Sequence, residues 1–120
     1  MKSAFPETIR NLPRADIPFE GVTAYLSQGE GHQVVFMEFE RDINVPAHTH
    51  AAQWGVALAG RVDLTIDGVE HTYTTGDHYF IPAGVEHSAR VHAGYAAMEF
   101  YDERARWTVM GVTGERDSSM

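Results

Sequence analysis

Apolar and polar residues alternate along most of this chain with a period of two, and the alternating runs are short. Between residues 33 and 40, Met37 and Phe39 fall on one side, Glu38 and Glu40 on the other. Between 61 and 66, Val62, Leu64 and Ile66 oppose Asp63 and Thr65. A period of two marks strands with one buried face. Gly, Asp and Pro punctuate the runs. The pattern predicts strands over 22–27, 33–40, 54–59, 61–66, 69–74, 78–81, 88–92, 95–101 and 108–112. Asp67-Gly68 is the clearest hairpin signal, since a type I′ turn needs positive φ at both central positions. No convincing helix is visible. Residues 1–20, with Pro6 and Pro13, read as an N-terminal arm, and 113–120 as a frayed tail. The fold expected for 21–112 is an all-β sandwich or small barrel, whose mouth is the favoured place for a ligand site.

At 120 residues the chain is expected to form one domain that buries roughly two-thirds of its unfolded surface. It then needs neither disulfides nor a metal merely to fold. There is no cysteine, which excludes a disulfide framework, a zinc ribbon, a thiolate nucleophile and an iron–sulfur cluster. Any metal has to be held by His, carboxylate, amide or water. The formal net charge of −8 argues against nucleic-acid partners and anionic membranes, which call for a basic surface. Residues 1–8 lack the apolar core of a secretory signal, and no stretch approaches a membrane span. The expected location is cytoplasmic.

The candidate chemistry lies in two segments. In the first, His48 and His50 are two apart, so on a strand their imidazoles point to one face. Gln53 can join them only if the chain bends or bulges near Ala51-Ala52. In the second, His87 follows the Pro82-Ala83-Gly84 turn. If the strands containing Trp54 and Ser88 are neighbours, His48, His50, Gln53 and His87 form a shell for one divalent transition metal, with Zn, Ni, Fe, Mn and Cu all suited. Alternatively, the metal is held by the three His and water. A His-x-His pair alone also suits a solvated surface. The spacing of Gly76, Pro82, Gly84 and His87 is what makes the set specific.

These two segments resemble the motifs of the cupin superfamily. The second motif, Gly-x5-Pro-x-Gly-x2-His-x3-Asn, matches from Gly76 to His87, with Val91 at the place of the final Asn. The first motif supplies His48, His50 and Gly60, and Gln53 takes the place of the family's glutamate, one residue closer to His50 than usual. The resemblance implies a double-stranded β-helix, or jelly-roll barrel, with a metal at one end.

Three imidazoles and an amide leave a divalent ion its full charge, which favours Lewis-acid chemistry on a carbonyl, enolate or hydroxyl. The expected activity is therefore that of an isomerase, lyase or cyclase on a small oxygen-rich, carbohydrate-acid or polyketide-like substrate. A metal-dependent dioxygenase and a non-catalytic metal or small-molecule binding module are the competing readings. Within the superfamily, the ligand set followed by Trp-Gly is similar to small cupins that linearise unsaturated uronates and to others that cyclise aromatic polyketides. The uronate group implies an acidic residue, an aromatic and an Arg from the last barrel strand. Alignment through Phe100 and Arg104 puts Met98 at the acidic position. Arg104 is the candidate clamp for a substrate carboxylate, against a surface Arg paired with Glu103 or Asp102. Met98 and Phe100 are expected to face inward and Glu99 and Tyr101 outward. His78 is the candidate acid–base group, and Trp54 is expected outside the inner sheet. An open sheet edge invites pairing, so a homodimer is expected, with the arm covering the neighbour's edge.

Overall fold

The alternating runs build nine strands among residues 2–111, which the computed structural model describes. They are β1 (Val22–Gln28), β2 (Gln33–Phe39), β3 (Ile43–His48), β4 (Gln53–Ala59), β5 (Arg61–Ile66), β6 (Val69–Thr74), β7 (His78–Ile81), β8 (His87–Val91) and β9 (Ala96–Tyr101). All pairings between them are antiparallel. One sheet runs β1-β2-β9-β4-β7 and the other β3-β8-β5-β6. This is the expected all-β jelly-roll. Between the sheets pack Leu26, Val35, Met37 and Phe39 from one side and Ile43, Val62, Leu64 and Val91 from the other. Each such side chain contributes roughly 1.5–3 kcal/mol by leaving water. The hairpin between β5 and β6 turns at Asp67 (φ 50°) and Gly68 (φ 79°), the left-handed pair that the sequence implied.

Two expectations change. Residues 7–10 form a single helical turn, α1 (Glu7–Arg10), too short to give a periodic signal. The strand expected over 108–112 shrinks to one bridge between Ala15 and Val109. Val112 and the tail over 113–120 lie outside the described residues. The arm packs on its own chain. Phe5 packs edge-on against Tyr25 and Phe36, with ring centres 6.1 and 5.8 Å apart. The Ser3 hydroxyl and the Ala4 amide both donate to the Glu38 carboxylate, at 2.9 and 3.1 Å. That explains why Glu38, on the polar side of its strand, is buried.

The arm then crosses one end of the barrel. Asp16 donates its amide to the Thr108 carbonyl at 2.8 Å, and Met110 donates to Arg14 at 2.9 Å. Residues 14–19 and 106–110 therefore close that end together. Ile17, Pro18, Phe19, Arg106 and Trp107 line a partly open cavity of about 280 Å³ between the sheets.

Candidate metal centre and buried carboxyl

β8 pairs with β3 and β5, not with β4, so His87 approaches by a route other than the expected Trp54 strand. Val45 faces Ala89, but His48 faces His87. Two steps on β8 thus match three on β3, a bulge at Pro46-Ala47. Proline has no N–H for the ladder and suits such a place. The bulge sets the His48 and His87 side chains directly opposite each other.

After β3 the chain bends through residues 49–52 and enters β4 in the other sheet. This bend replaces strict alternation and brings Gln53 to the cavity wall despite its odd spacing from His50. The segment is held from both sides. Gly84 donates its amide to the His50 carbonyl at 2.9 Å, Asp102 donates to Ala52 at 2.9 Å, and the Ala51 amide donates to the Glu103 carboxylate at 3.3 Å. Gly84 adopts φ 76°, the left-handed turn that aims the following residues back toward His50.

The structure brings His48, His50 and His87 together, with one ring nitrogen of each within 4.8 Å of the others. Each imidazole donates its Nδ1–H to a backbone carbonyl: His48 to Pro46 at 2.8 Å, His50 to Ala51 at 2.7 Å, His87 to Val85 at 2.9 Å. That fixes the tautomer and leaves the Nε2 lone pairs free. The Nε2 atoms of His50 and His87 face each other at 3.1 Å. Two lone pairs at that distance repel unless a proton or a cation sits between them. Metal–nitrogen bonds of about 2.0–2.1 Å span such a gap. Burial holds the pKa values of both His50 and His87 below 6.5, so the neutral, ligating form is favoured. The donor set fits one divalent metal ion. Gln53 is buried beside it, and its amide makes no side-chain hydrogen bond among the described residues.

A second group of polar residues shares the cavity. Glu99 is 6% exposed. Burial raises its pKa to about 7, against the opposing pull of hydrogen bonds from Tyr101 and Tyr79 and of the Arg106 charge. The Tyr101 hydroxyl donates to Oε2 of Glu99 at 3.2 Å. The Tyr79 and Tyr95 hydroxyls lie 3.2 Å apart, each able to donate to the other. Burial raises the pKa of all three phenols, which stay neutral donors. Gly55 makes the arrangement possible. A Cβ there would lie 2.4 Å from the Tyr79 ring, so only glycine lets that ring enter the cavity beside β4.

Several sequence expectations are corrected. Glu99 and Tyr101 face inward, while Phe100 is 37% exposed and stacks on His32 at 5.0 Å. Met98 shares the outward face of Phe100. The parity follows from register: Tyr101 pairs with the inward Gln53, and Phe100 pairs with the outward Trp54. His78 is exposed on the outer face beside Trp54, at 6.1 Å between rings, and does not line the cavity. Arg104 is also exposed outside the cavity, with its carbonyl bound by Gln28. Arg106 lines the cavity instead. Glu99, Tyr79, Tyr95, Tyr101 and Arg106 were all missed. The available signal was a Glu and a Tyr two apart in an otherwise apolar strand.

Comparison with known proteins agrees with this architecture. The family described as a cupin domain matches residues 34–102. An RmlC-like cupin from Shewanella frigidimarina superposes with a TM-score of 0.70 at 22% identity, covering 86% of this chain and 90% of that one. KdgF from a Halomonas species gives 0.65 at 18% identity, covering 76% and 87%. An oxalate decarboxylase variant from Bacillus subtilis gives 0.63 at 20% identity, covering 78% of this chain and 28% of that one. These likenesses concern the fold. No curated protein matches the sequence.

Proposed function

The chain belongs to the cupin domain family, and on that premise we propose that it is a metal-dependent enzyme of the isomerase, lyase or cyclase kind. Its substrate is a small oxygen-rich acid, of the carbohydrate-acid or polyketide-like classes. His48, His50 and His87 hold the ion, with Gln53 as the fourth donor. The ion supplies Lewis-acid polarisation of a substrate oxygen, undiminished by any anionic ligand. Glu99 takes a proton from substrate carbon or oxygen and returns it. Tyr101 and Tyr79 hold the charged form of that carboxyl. Arg106 takes over the carboxylate clamp assigned to Arg104. The acidic residue, aromatic and Arg implied by resemblance to the uronate group are then Glu99, Tyr101 and Arg106.

One observation carries the reading: the Glu99 carboxyl is buried in the same cavity as three tautomer-fixed imidazoles, and that burial pushes its pKa up to about 7. A general acid–base works best with its pKa near the operating pH. The test incubates metal-loaded protein in D2O with an unsaturated uronate and with an enolisable keto acid. NMR follows C–H exchange and ring opening. Exchange should require the metal and should fall on the order of a hundredfold or more in Glu99→Gln. Undiminished exchange in that variant would remove Glu99 from the reaction. Oxygen consumption with iron(II), manganese or nickel loaded would favour a dioxygenase. Untagged protein that carries no metal and binds none would end both enzyme readings.

A further inference from the structure

Resting on the metal-dependent chemistry just proposed and choosing between its two substrate classes, we infer the body of the substrate from the cavity: an apolar, ring-sized acid of the polyketide-like kind, not a polyhydroxylated sugar acid. Away from the imidazoles and Glu99, the wall is built from Phe19, Phe39, Val62, Leu64 and Val91. None of these side chains can hydrogen-bond a ligand. Apart from Gln53, Arg106 and Trp107, the polar groups of the wall already have work. Tyr101 donates to Glu99, Tyr79 and Tyr95 share a bond, and each imidazole Nδ1–H is committed to a carbonyl. A sugar ring would bury several hydroxyls against this wall without partners, and each unpaired hydroxyl opposes binding. The volume suits one substituted ring: an apolar cavity of about 150 Å³ accepts benzene, and this one is about 280 Å³.

Two groups say what the ring must carry. Among the described residues, the buried side-chain polar atoms without a partner are Nε of Arg106 and Nε1 of Trp107. Both residues line the cavity. The guanidinium sits over the indole, 4.0 Å from its centre. Its charge reaches His50, His87, Glu99 and Tyr101, and no described carboxylate forms an ion pair with it. The indole N–H lies toward the Tyr101 hydroxyl and opposes part of the rise that burial imposes on that phenol, yet closes no hydrogen bond. Trp107 is itself fixed: its amide donates to Gln33 Oε1 at 2.9 Å, and its carbonyl accepts from Gln33 Nε2 at 2.8 Å. Both donors lack a partner among the described residues and one belongs to a cation, so an acid group on a ligand is the matching acceptor. Trp107 is therefore a specificity-determining residue that reads the acid end, while the apolar wall reads the ring.

The experiment measures binding by titration calorimetry and tryptophan fluorescence, in metal-loaded and metal-stripped protein. The probes are cinnamate, cinnamamide and galacturonate. Cinnamate should bind at least tenfold more tightly than either other probe. Trp107→Phe keeps an aromatic ring and the backbone bonds to Gln33 but lacks the N–H; it should weaken cinnamate several-fold and cinnamamide less. Arg106→Gln should abolish the preference for the acid over the amide. Galacturonate binding as tightly as cinnamate, or cinnamate indifferent to both substitutions, would overturn the inference. The same samples carry the deuterium-exchange assay. Exchange on a uronate with no preference for cinnamate leaves the enzyme reading standing and removes this one. Selective cinnamate binding without exchange on any acid does the reverse.

Discussion

Replacing Glu99 by Gln should stabilise the metal-free protein, and by an amount that depends on pH. A carboxyl moved from 4.5 to about 7 on folding corresponds to about 3 kcal/mol at 1.36 kcal/mol per pH unit. The sign follows from proton linkage. Below pH 4.5 the folded and unfolded states both hold the proton, and nothing is lost. As pH rises from 4.5 toward 7, the unfolded chain releases its proton first and the wild type loses stability. Above 7 both states are ionised and the full cost of the buried charge is present. The substituted glutamine has nearly the same shape, still accepts from Tyr101, and does not titrate. The assay is thermal unfolding of metal-stripped wild type and Glu99→Gln at pH 5 and pH 8. For a domain of this size, 1 kcal/mol moves Tm by roughly 3–6 °C. The variant should therefore gain on the order of 10 °C over the wild type between the two pH values. Contributions common to the two proteins drop out of the difference. A gap that stays constant within about 2 °C would show that Glu99 is not held neutral by burial, and with it would go the poised acid–base group.

Other outcomes follow from the same geometry. Elemental analysis of untagged protein should find one divalent metal per chain, lost in His50→Ala and, in the wild type, on acidification, as protons compete for the imidazoles. Gly55→Ala should destabilise by about 1–3 kcal/mol in urea unfolding, since its methyl meets the buried Tyr79 ring; an unchanged midpoint would mean that the ring has room to move. Asp63, held to about 2 first by its bond from His92, contributes stability above pH 3.8 that is lost as pH falls through about 2. Asp63→Asn should therefore flatten acid unfolding in that window. The proposed homodimer is checked by light scattering, with Phe80→Glu expected to give monomers because Phe80, Trp54 and Phe100 form an exposed apolar row across the large sheet.

The fold and the three imidazoles were legible because both rest on local pattern. Short alternating runs give strands without knowledge of their partners. A His-x-His pair, a bend and a Pro-x-Gly turn give three ligands on one face. The Asp67-Gly68 turn needs nothing from the rest of the chain. Partnership was not legible. β8 could lie beside β4 or β3 on the same pattern, because antiparallel pairing between distant segments leaves no mark in either one. The bulge at Pro46-Ala47 was invisible for the same reason, since only the partner strand shows that a residue is extra.

The misreading of β9 has a more specific cause. Hydrophobic patterning assigns the apolar set of a strand to the inside, and a one-residue slip moves every side chain to the other face. Met98 and Phe100 look like the buried set and Glu99 and Tyr101 like the solvated one. That rule holds where the inside is packed core. Here the inward set of β9 lines a cavity, where polar side chains are bound to one another: Tyr101 to Glu99 and Tyr79 to Tyr95. The outward face is apolar as well, because His32 and Trp54 lie over and beside Phe100. Both faces thus contradict the rule at once, and the parity reverses. Only a neighbour of known orientation resolves it. Gln53 and Trp54 of β4 are adjacent and face opposite ways, and their partners on β9 are Tyr101 and Phe100. A polar pair two apart in an apolar strand is the trace of that conflict, and in a barrel with a ligand-bearing mouth it marks the cavity side rather than the solvent side.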